Sequence, residues 1–411
     1  MNGTSPNSAA YGTAQRTLLG SVAAVGFAQT VLFAILAPLG REIGLVEMQI
    51  GAIISASSLT IFLTSPRWGR ASDTYGRRRI ILIGLFGYSI GSAVFAGVFQ
   101  LALLGLMVPL SAFLSLTIAR VANATVMAAV MPASNAYMAD ITTIANRTKG
   151  MGAMGAASNI GAMLGPAIGG LLTRISLLTP LYFSVVLTVI AAIVALRTLP
   201  ELPRPKINVA TSKLKFTDQR ILPFVIVGIF MFMGFAIVQQ TIAFRFQDIL
   251  QLTGAQTAQV AGLSMMFSAA ASLFTQMVVI PRLKVRPFIL LRIAMPMMIV
   301  AFAMMAVGET QLLITVAMII QGLGLGLAGP GFMAGASLAV STEEQGAVAG
   351  IAGSCPPLGF TIGPLLGTFL YSVDPSYPYW FACFIYCALG IFTLTAREGR
   401  KPEVPVKDSP L

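Results

Sequence analysis

Histidine is absent from this 411-residue chain, cysteine occurs three times, and acidic residues number only 14. Without imidazole the chain lacks the commonest metal ligand and the one side chain that titrates near neutrality unaided. Cys355, Cys383 and Cys387 are odd in number and all fall in long apolar runs. They read as small packing residues, and neither a disulfide framework nor a metal site is expected. No G-x-x-x-x-G-K-[ST] run occurs, which argues against direct ATP hydrolysis. Gly322-x-Gly324-x-Gly326 superficially suggests a dinucleotide loop, but it lies in an apolar run. No strand is expected before it, so a hinge is the reading there. Charge is scarce as well: Asp, Glu, Lys and Arg make up 10% of residues, against about 25% in a soluble domain. Most of the surface therefore does not face water, and neither an enzyme nor a cofactor is indicated.

Apolar sequence takes the place of charge, with 56% hydrophobic residues and a mean hydropathy of +0.84. A membrane-crossing helix needs about 20 mostly apolar residues. Twelve stretches qualify, at 18–39, 48–66, 80–101, 107–136, 150–173, 179–197, 221–244, 257–280, 288–307, 311–338, 346–371 and 378–396. The first is long enough to span and reads as a span rather than a cleaved signal. The charge-free run from Ile80 to Ala119 must be cut in two, and a turn over 101–108 is expected.

The 26 Lys and Arg residues leave a net charge of +12, which would suit nucleic acid if they formed one basic face. They lie instead in short clusters between spans. With both termini on one side, that side collects Arg16, the group from Arg67 to Arg79, Arg147 and Lys149. The stretch from Arg197 to Arg220, the group from Arg282 to Arg292 and the final tail join them. Arg41, Arg174 and Arg245 fall opposite, and Arg120 lies inside a span. This bias assigns the basic side to the cytoplasm of an inner membrane, with both termini inside. Lipid headgroups rather than nucleic acid are the expected partners of these charges.

The polar stretch holding Pro200, Pro203 and Pro205 divides six spans from six. The expected organisation is a tail over 1–17, a bundle over 18–198, a linker over 199–220, a second bundle over 221–396 and a tail over 397–411. The halves repeat each other: Gly161-x-x-x-Gly165-Pro166-x-x-Gly169 recurs as Gly359-x-x-x-Gly363-Pro364-x-x-Gly367, in the fifth span of each. Parallel repeats of this kind are a transporter architecture with the substrate site between the halves.

The loop after the second span reads Gly69-Arg-Ala-Ser-Asp73-Thr-Tyr-Gly76-Arg77-Arg78-Arg79. It resembles the G-x-x-x-D-x-x-G-R-[RK] motif of the major facilitator superfamily. The resemblance implies an all-α membrane protein whose twelve helices form two pseudo-symmetric six-helix bundles around a central cavity. It also implies that Gly69, Asp73, Gly76, Arg77 and Arg78 latch the cytoplasmic faces of the halves. The matching loop of the second half, from Pro281 to Arg286, keeps basic charge but lacks the Gly and Asp, so any latch is asymmetric. The run Gly161, Gly165, Pro166, Gly169, Gly170 looks like the helix motif of the antiporter branch, drug:proton exporters of the tetracycline-efflux type. Packing of close helices is the plainer role for these glycines. Arg120, followed by Asn123, matches the fourth-span arginine of the same exporters, although Asn123 and Ala124 stand where a glycine is usual.

An arginine within the membrane is costly and rarely faces lipid. The candidate cavity residues are therefore Arg120, Asn123 and the amides of span interiors: Gln29, Asn135, Asn159, Gln239, Gln240, Gln276 and Gln321. Methionines such as Met231, Met233, Met265 and Met266 suit an adaptable apolar wall. No carboxylate lies mid-span; Asp73, Glu47 and Asp248, at span edges, are the candidate proton sites. The resulting expectation is a monomeric, proton-coupled exporter of small organic molecules, with an anionic or amphiphilic drug, metabolite or siderophore as cargo. The alternatives are an uncoupled facilitator or importer of the same fold, and a non-transporting sensor or lipid-handling protein.

Overall fold

The computed structural model describes residues 6–202, 214–283, 285–341 and 344–395. Among them twelve helices are long and apolar enough to cross a membrane. They are α1 (Tyr11–Glu42), α2 (Glu47–Tyr75), α3 (Arg77–Leu103), α4 (Pro109–Ile141), α5 (Lys149–Leu172) and α6 (Thr179–Thr198). The second half supplies α7 (Leu222–Leu250), α8 (Gly254–Leu283), α9 (Pro287–Val307), α10 (Gln311–Leu338), α11 (Gln345–Val373) and α12 (Tyr377–Thr395). Each expected span falls on one of these helices, and the turn dividing the charge-free run lies between Leu103 and Pro109. Helix already begins at Pro6 and runs into α1, so residues assigned to the first tail extend a span. The centre of the linker, with Pro203, Arg204, Pro205, Lys206 and Lys213, lies outside the described residues, as do Lys284, Glu343 and the tail over 397–411.

Two helices are locally irregular. α4 breaks at Ala128–Ala129, where Pro132 cannot donate to the carbonyl four residues earlier. α8 contains a π-helical turn over Thr275–Val279. The hinge expected in α10 is not found: Gln311–Leu338 is one helix. Its glycines serve packing instead, Gly322 and Gly326 against the carbonyls of Ser268 and Ser272 on α8, and Gly324 against Met298 on α9.

Lipid offers no hydrophobic drive for helices to associate, so close backbone approach through small residues has to supply it. The duplicated glycine pattern does this twice over. Gly161 and Gly165 of α5 press on the α1 backbone at Ala23 and Phe27, while Gly359 and Gly363 of α11 press on α7 at Phe232 and Met233. α1 is accordingly the most enclosed span, with 78% of its most apolar window buried. Ile90, Val94, Ile118, Val186 and Phe384, on the outer helix faces, are exposed, as lipid-facing side chains of a spanning bundle are.

The same two helices join the halves. Gly170 of α5 packs on the backbone of Ala258 and Gln259 of α8, and Gly262 of α8 on the carbonyl of Pro166. By the internal symmetry, Gly51 of α2 packs on Pro364 and Thr368 of α11. All these contacts sit toward the end of the bundle opposite the basic loops. At the basic end, Gly152 and Gly155 of α5 and Gly350 and Gly353 of α11 meet nothing. The halves are thus closed at one end and parted at the basic end.

Candidate functional site

A cavity of about 710 Å³ lies between the halves. α1, α2, α4 and α5 line it from one side, and α7, α8, α10 and α11 from the other; none of its lining residues comes from α3, α6, α9 or α12. The two walls differ chemically. The first half contributes Gln29, Thr30, Ser57, Ser58, Asn159 and Arg120. The second contributes most of the aromatic surface, through Phe232, Phe235, Phe332 and Phe360, together with Met265 and Met333, and adds the polar Gln239, Ser268, Ser272 and Gln276. Phe360 stacks at 5.7 Å from Phe33 of α1 and 6.1 Å from Phe235, so the aromatic patch bridges the halves.

Among the described residues that line the cavity, Arg120 is the one charged side chain. It is 4% exposed, and its Nε has no hydrogen-bond partner. The Tyr88 hydroxyl partners the guanidinium, and the Phe95 ring lies 5.9 Å away. No carboxylate faces it among the described residues. A charge at mid-membrane costs about 2.5–3.5 kcal/mol on insertion scales, so this one is held at a cost without a resident counter-ion. What such an arrangement does chemically is attract an anionic group into a chamber whose other described lining residues are uncharged.

Of the residues singled out by sequence, Gln29, Arg120, Asn159, Gln239 and Gln276 line the cavity. Gln239 donates to the Met265 sulfur at 3.6 Å and Gln276 to Ser272 Oγ at 3.1 Å. Gln276 belongs to the π-helical turn of α8, a distortion common at functional sites. Asn123, Gln240 and Gln321 are buried elsewhere. Asn123 donates to Ser92 Oγ at 3.2 Å across the α3–α4 contact, where Gly91 makes room for it. Gln240 and Gln321 lie inside the second bundle, on helix faces turned from the cavity. Asn135 is absent from the lining as well, as are Met231, Met233 and Met266; Met265 is present. The lining hydroxyls and phenylalanines are not among the residues the sequence points to, although Phe232, Phe235 and Gln239, or Met265, Ser268, Ser272 and Gln276, follow helical spacing.

The candidate proton sites fall at the two ends. At the closed end Arg41 forms a clasp across the halves. It binds Glu47 of its own half at 2.6 Å and Asp248 of α7 at 2.5 Å, and donates to Gln247 at 3.1 Å. Tyr371 of α11 donates to Asp248 at 2.6 Å, and the Phe244 ring lies under the guanidinium at 4.7 Å. Among the described residues no other ion pair joins one bundle to the other. Ser55 of α2 is buried at the seam, where its Oγ accepts from the Leu365 amide of α11 at 3.1 Å. Against the Ser55→Cys protein as reference, Asp248→Asn is expected to loosen this end and raise labelling of that cysteine by up to about fivefold, the range of a partly exposed ion pair. Unchanged labelling would mean that the glycine seam alone keeps this end shut.

At the basic end Arg77 pairs with Asp73 and with Asp140 at 3.1 Å, and donates to Ser72. Asp73 takes this arginine rather than helix N-terminal amides. Arg78 donates to the Leu196 carbonyl at 2.7 Å and faces Glu201. Among the described residues all these partners belong to the first half or the segment after it, and none to the second half, where the resemblance expects a latch. The reason is geometric, since the halves are parted there. Gly76, with φ +98°, forms the turn of this elbow, a conformation that favours glycine. On the second half Arg220 holds the carboxylates of Asp218 and Glu344 below their usual range through direct hydrogen bonds.

Comparison with known proteins agrees with this geometry. The sequence model of the Major Facilitator Superfamily matches residues 18–355 and 294–410. Multidrug resistance protein 1 of Bacillus subtilis is 27% identical over 366 residues, 85% of this chain and 87% of that one. Quinolone resistance protein NorA of Staphylococcus aureus is 30% identical over 156 residues, 38% of this chain and 37% of its own. A crystal structure of a D-xylose-proton symporter superposes with a TM-score of 0.76 at 15% identity, covering 93% of this chain and 97% of that one. This chain belongs to the major facilitator superfamily.

Proposed function

We propose that this protein is a secondary active exporter that moves small organic molecules by alternating access, in exchange for protons. The observation that carries the reading is the lone Arg120 in the wall of a cavity otherwise built of hydroxyls, amides, aromatic rings and methionines. A charge kept without a counter-ion favours an anionic head, and the phenylalanine and methionine wall opposite it favours an apolar body. The cargo class is therefore an amphiphilic organic anion, such as a drug, a carboxylate metabolite or a siderophore. Similarity to multidrug resistance proteins of Bacillus subtilis supports the outward direction. The clustering of Lys and Arg at the open end supports a cytoplasmic orientation in an inner membrane, from which the protein loads from inside. It acts as a monomer, each chain enclosing its own cavity.

Proton coupling rests on the family branch and on the carboxylates at the helix ends, since none lines the cavity. The test is the purified protein in liposomes holding a pH dye, challenged in turn with anionic, neutral and cationic amphiphiles. Antiport predicts a proton flux that appears only with transported compounds and is largest for anions. Radiolabelled substrate crossing with no proton flux would make the protein a facilitator, and accumulation in producing cells would make it an importer. A sensor or lipid-handling protein would move none of the compounds.

A further inference from the structure

A second depression lies outside the cavity, at the basic end of the bundle, where α3 begins and the chain leaves α6. Tyr75, Arg78, Arg79, Leu82, Ile83 and Phe86 line it together with Glu201. From this groove we infer that the protein seats an anionic phospholipid, with its phosphate on Arg78 and Arg79 and an acyl chain along α3.

The residues divide into a charged rim and an apolar track. Arg78 is fixed in direction, because it donates to the Leu196 carbonyl at 2.7 Å, while its Nε is shielded and has no partner. Glu201 approaches it only at 3.5 Å and is 62% exposed, so it competes weakly. Arg79 is exposed and makes no ion pair among the described residues. Two guanidiniums against one solvated carboxylate leave the rim positive. Both lie in the first turn of α3, whose free backbone amides add to the pull on an anion. Tyr75, half uncovered beside them, is the aromatic type that settles at headgroup depth. Below the rim, Ile83 opens a row of exposed side chains that continues through Ile90 and Val94 down the same helix face. A free phosphate would use the rim alone. Only an amphiphile with an acidic head uses both parts, and basic recesses on this side of a membrane protein recognise such heads. The seat lies on the elbow carrying Asp73 and Arg77, away from the cavity, and does not depend on what the cavity transports.

The test is native mass spectrometry of the purified full-length protein titrated separately with phosphatidylglycerol, phosphatidylcholine and glycerol 1-phosphate. The first phosphatidylglycerol adduct should form with clear preference over phosphatidylcholine. Arg79→Gln, which removes an unpaired surface group, should weaken it about fivefold, and Arg78→Gln with Arg79→Gln about thirtyfold. Arg67→Gln with Arg70→Gln removes the same charge from the same membrane face beside the groove, and should change binding by less than about twofold. Equal binding of the two lipids, or variants indistinguishable from the native protein, would overturn the seat. Displacement of the lipid by glycerol 1-phosphate at matched concentration would overturn the lipid assignment in favour of a small-anion site.

Discussion

Arg120→Glu is expected to abolish transport of organic anions, and Arg120→Gln to slow it about 10- to 150-fold. That range follows from a hydrogen bond to a charged group in a desolvated site, worth about 1.5–3 kcal/mol. Neutral amphiphiles, held by the Phe232, Phe235 and Phe360 wall, should lose no more than about threefold under the same principle. Stability should move the other way. The guanidinium is 4% exposed with an unpartnered Nε, so replacing it relieves a buried charge rather than breaking an ion pair. The melting temperature of the detergent-purified Arg120→Gln protein should therefore be unchanged or higher. A structural arginine would give the opposite pair of results, with lower melting temperature and a uniform loss for all cargo. Normal anion transport by Arg120→Glu would remove the anion seat from the proposal.

The contrast between Arg120 and the four amides that fall outside the cavity, Asn123, Asn135, Gln240 and Gln321, marks what a sequence of this kind discloses. Span number and limits are legible because about 20 apolar residues are needed to cross a bilayer and loops concentrate the charge. The duplication is legible because close helix packing demands glycine at fixed spacing, leaving the same pattern in α5 and α11. Rotation of a helix about its own axis is another matter. Where every face is apolar, a glutamine inside a span reports only that some partner exists. Gln239 and Gln240 are neighbours in sequence, yet the first lines the cavity and the second is buried in the bundle. An arginine is better placed by reasoning alone, since lipid excludes it and few other places remain. Arg41 shows the converse limit: it reads as an end-of-span charge, but its cross-half partner Asp248 is 207 residues away. Nothing local announces a pair at that separation.

The duplicated helices lead to the second large effect. The register that matches Gly161, Gly165 and Gly169 with Gly359, Gly363 and Gly367 also matches Gly152 and Gly155 with Gly350 and Gly353. The first set is packed, whereas the second set faces empty space at the parted end. Glycine on an exposed helix face costs up to about 1 kcal/mol in propensity relative to better helix formers, and in the present conformation these four positions gain nothing for it. The alternating access proposed for this protein supplies the gain, because closing the basic end would bring these faces of α5 and α11 against the opposite half. Gly152→Val combined with Gly350→Val, which spares the cavity-lining Gly353, should accordingly fold normally and keep its melting temperature, since an added Cβ meets nothing within 4 Å at either site. Transport should nevertheless fall about 5- to 150-fold, the shift set by about 1–3 kcal/mol of overpacking confined to the other conformation. Gly262→Val is the mirror experiment. Its Cβ would press into the Pro166 carbonyl at the closed end, which should part the halves there and raise labelling of a cysteine at Ser55 from that side. The native cysteines are replaced first, because Cys387 is exposed. Opposite effects of the two variants on Ser55 labelling, each with transport lost, are the signature of one duplicated helix that seals a different end in each state. Full transport by the Gly152→Val, Gly350→Val protein would show that the basic end closes on other faces than those the duplication points to.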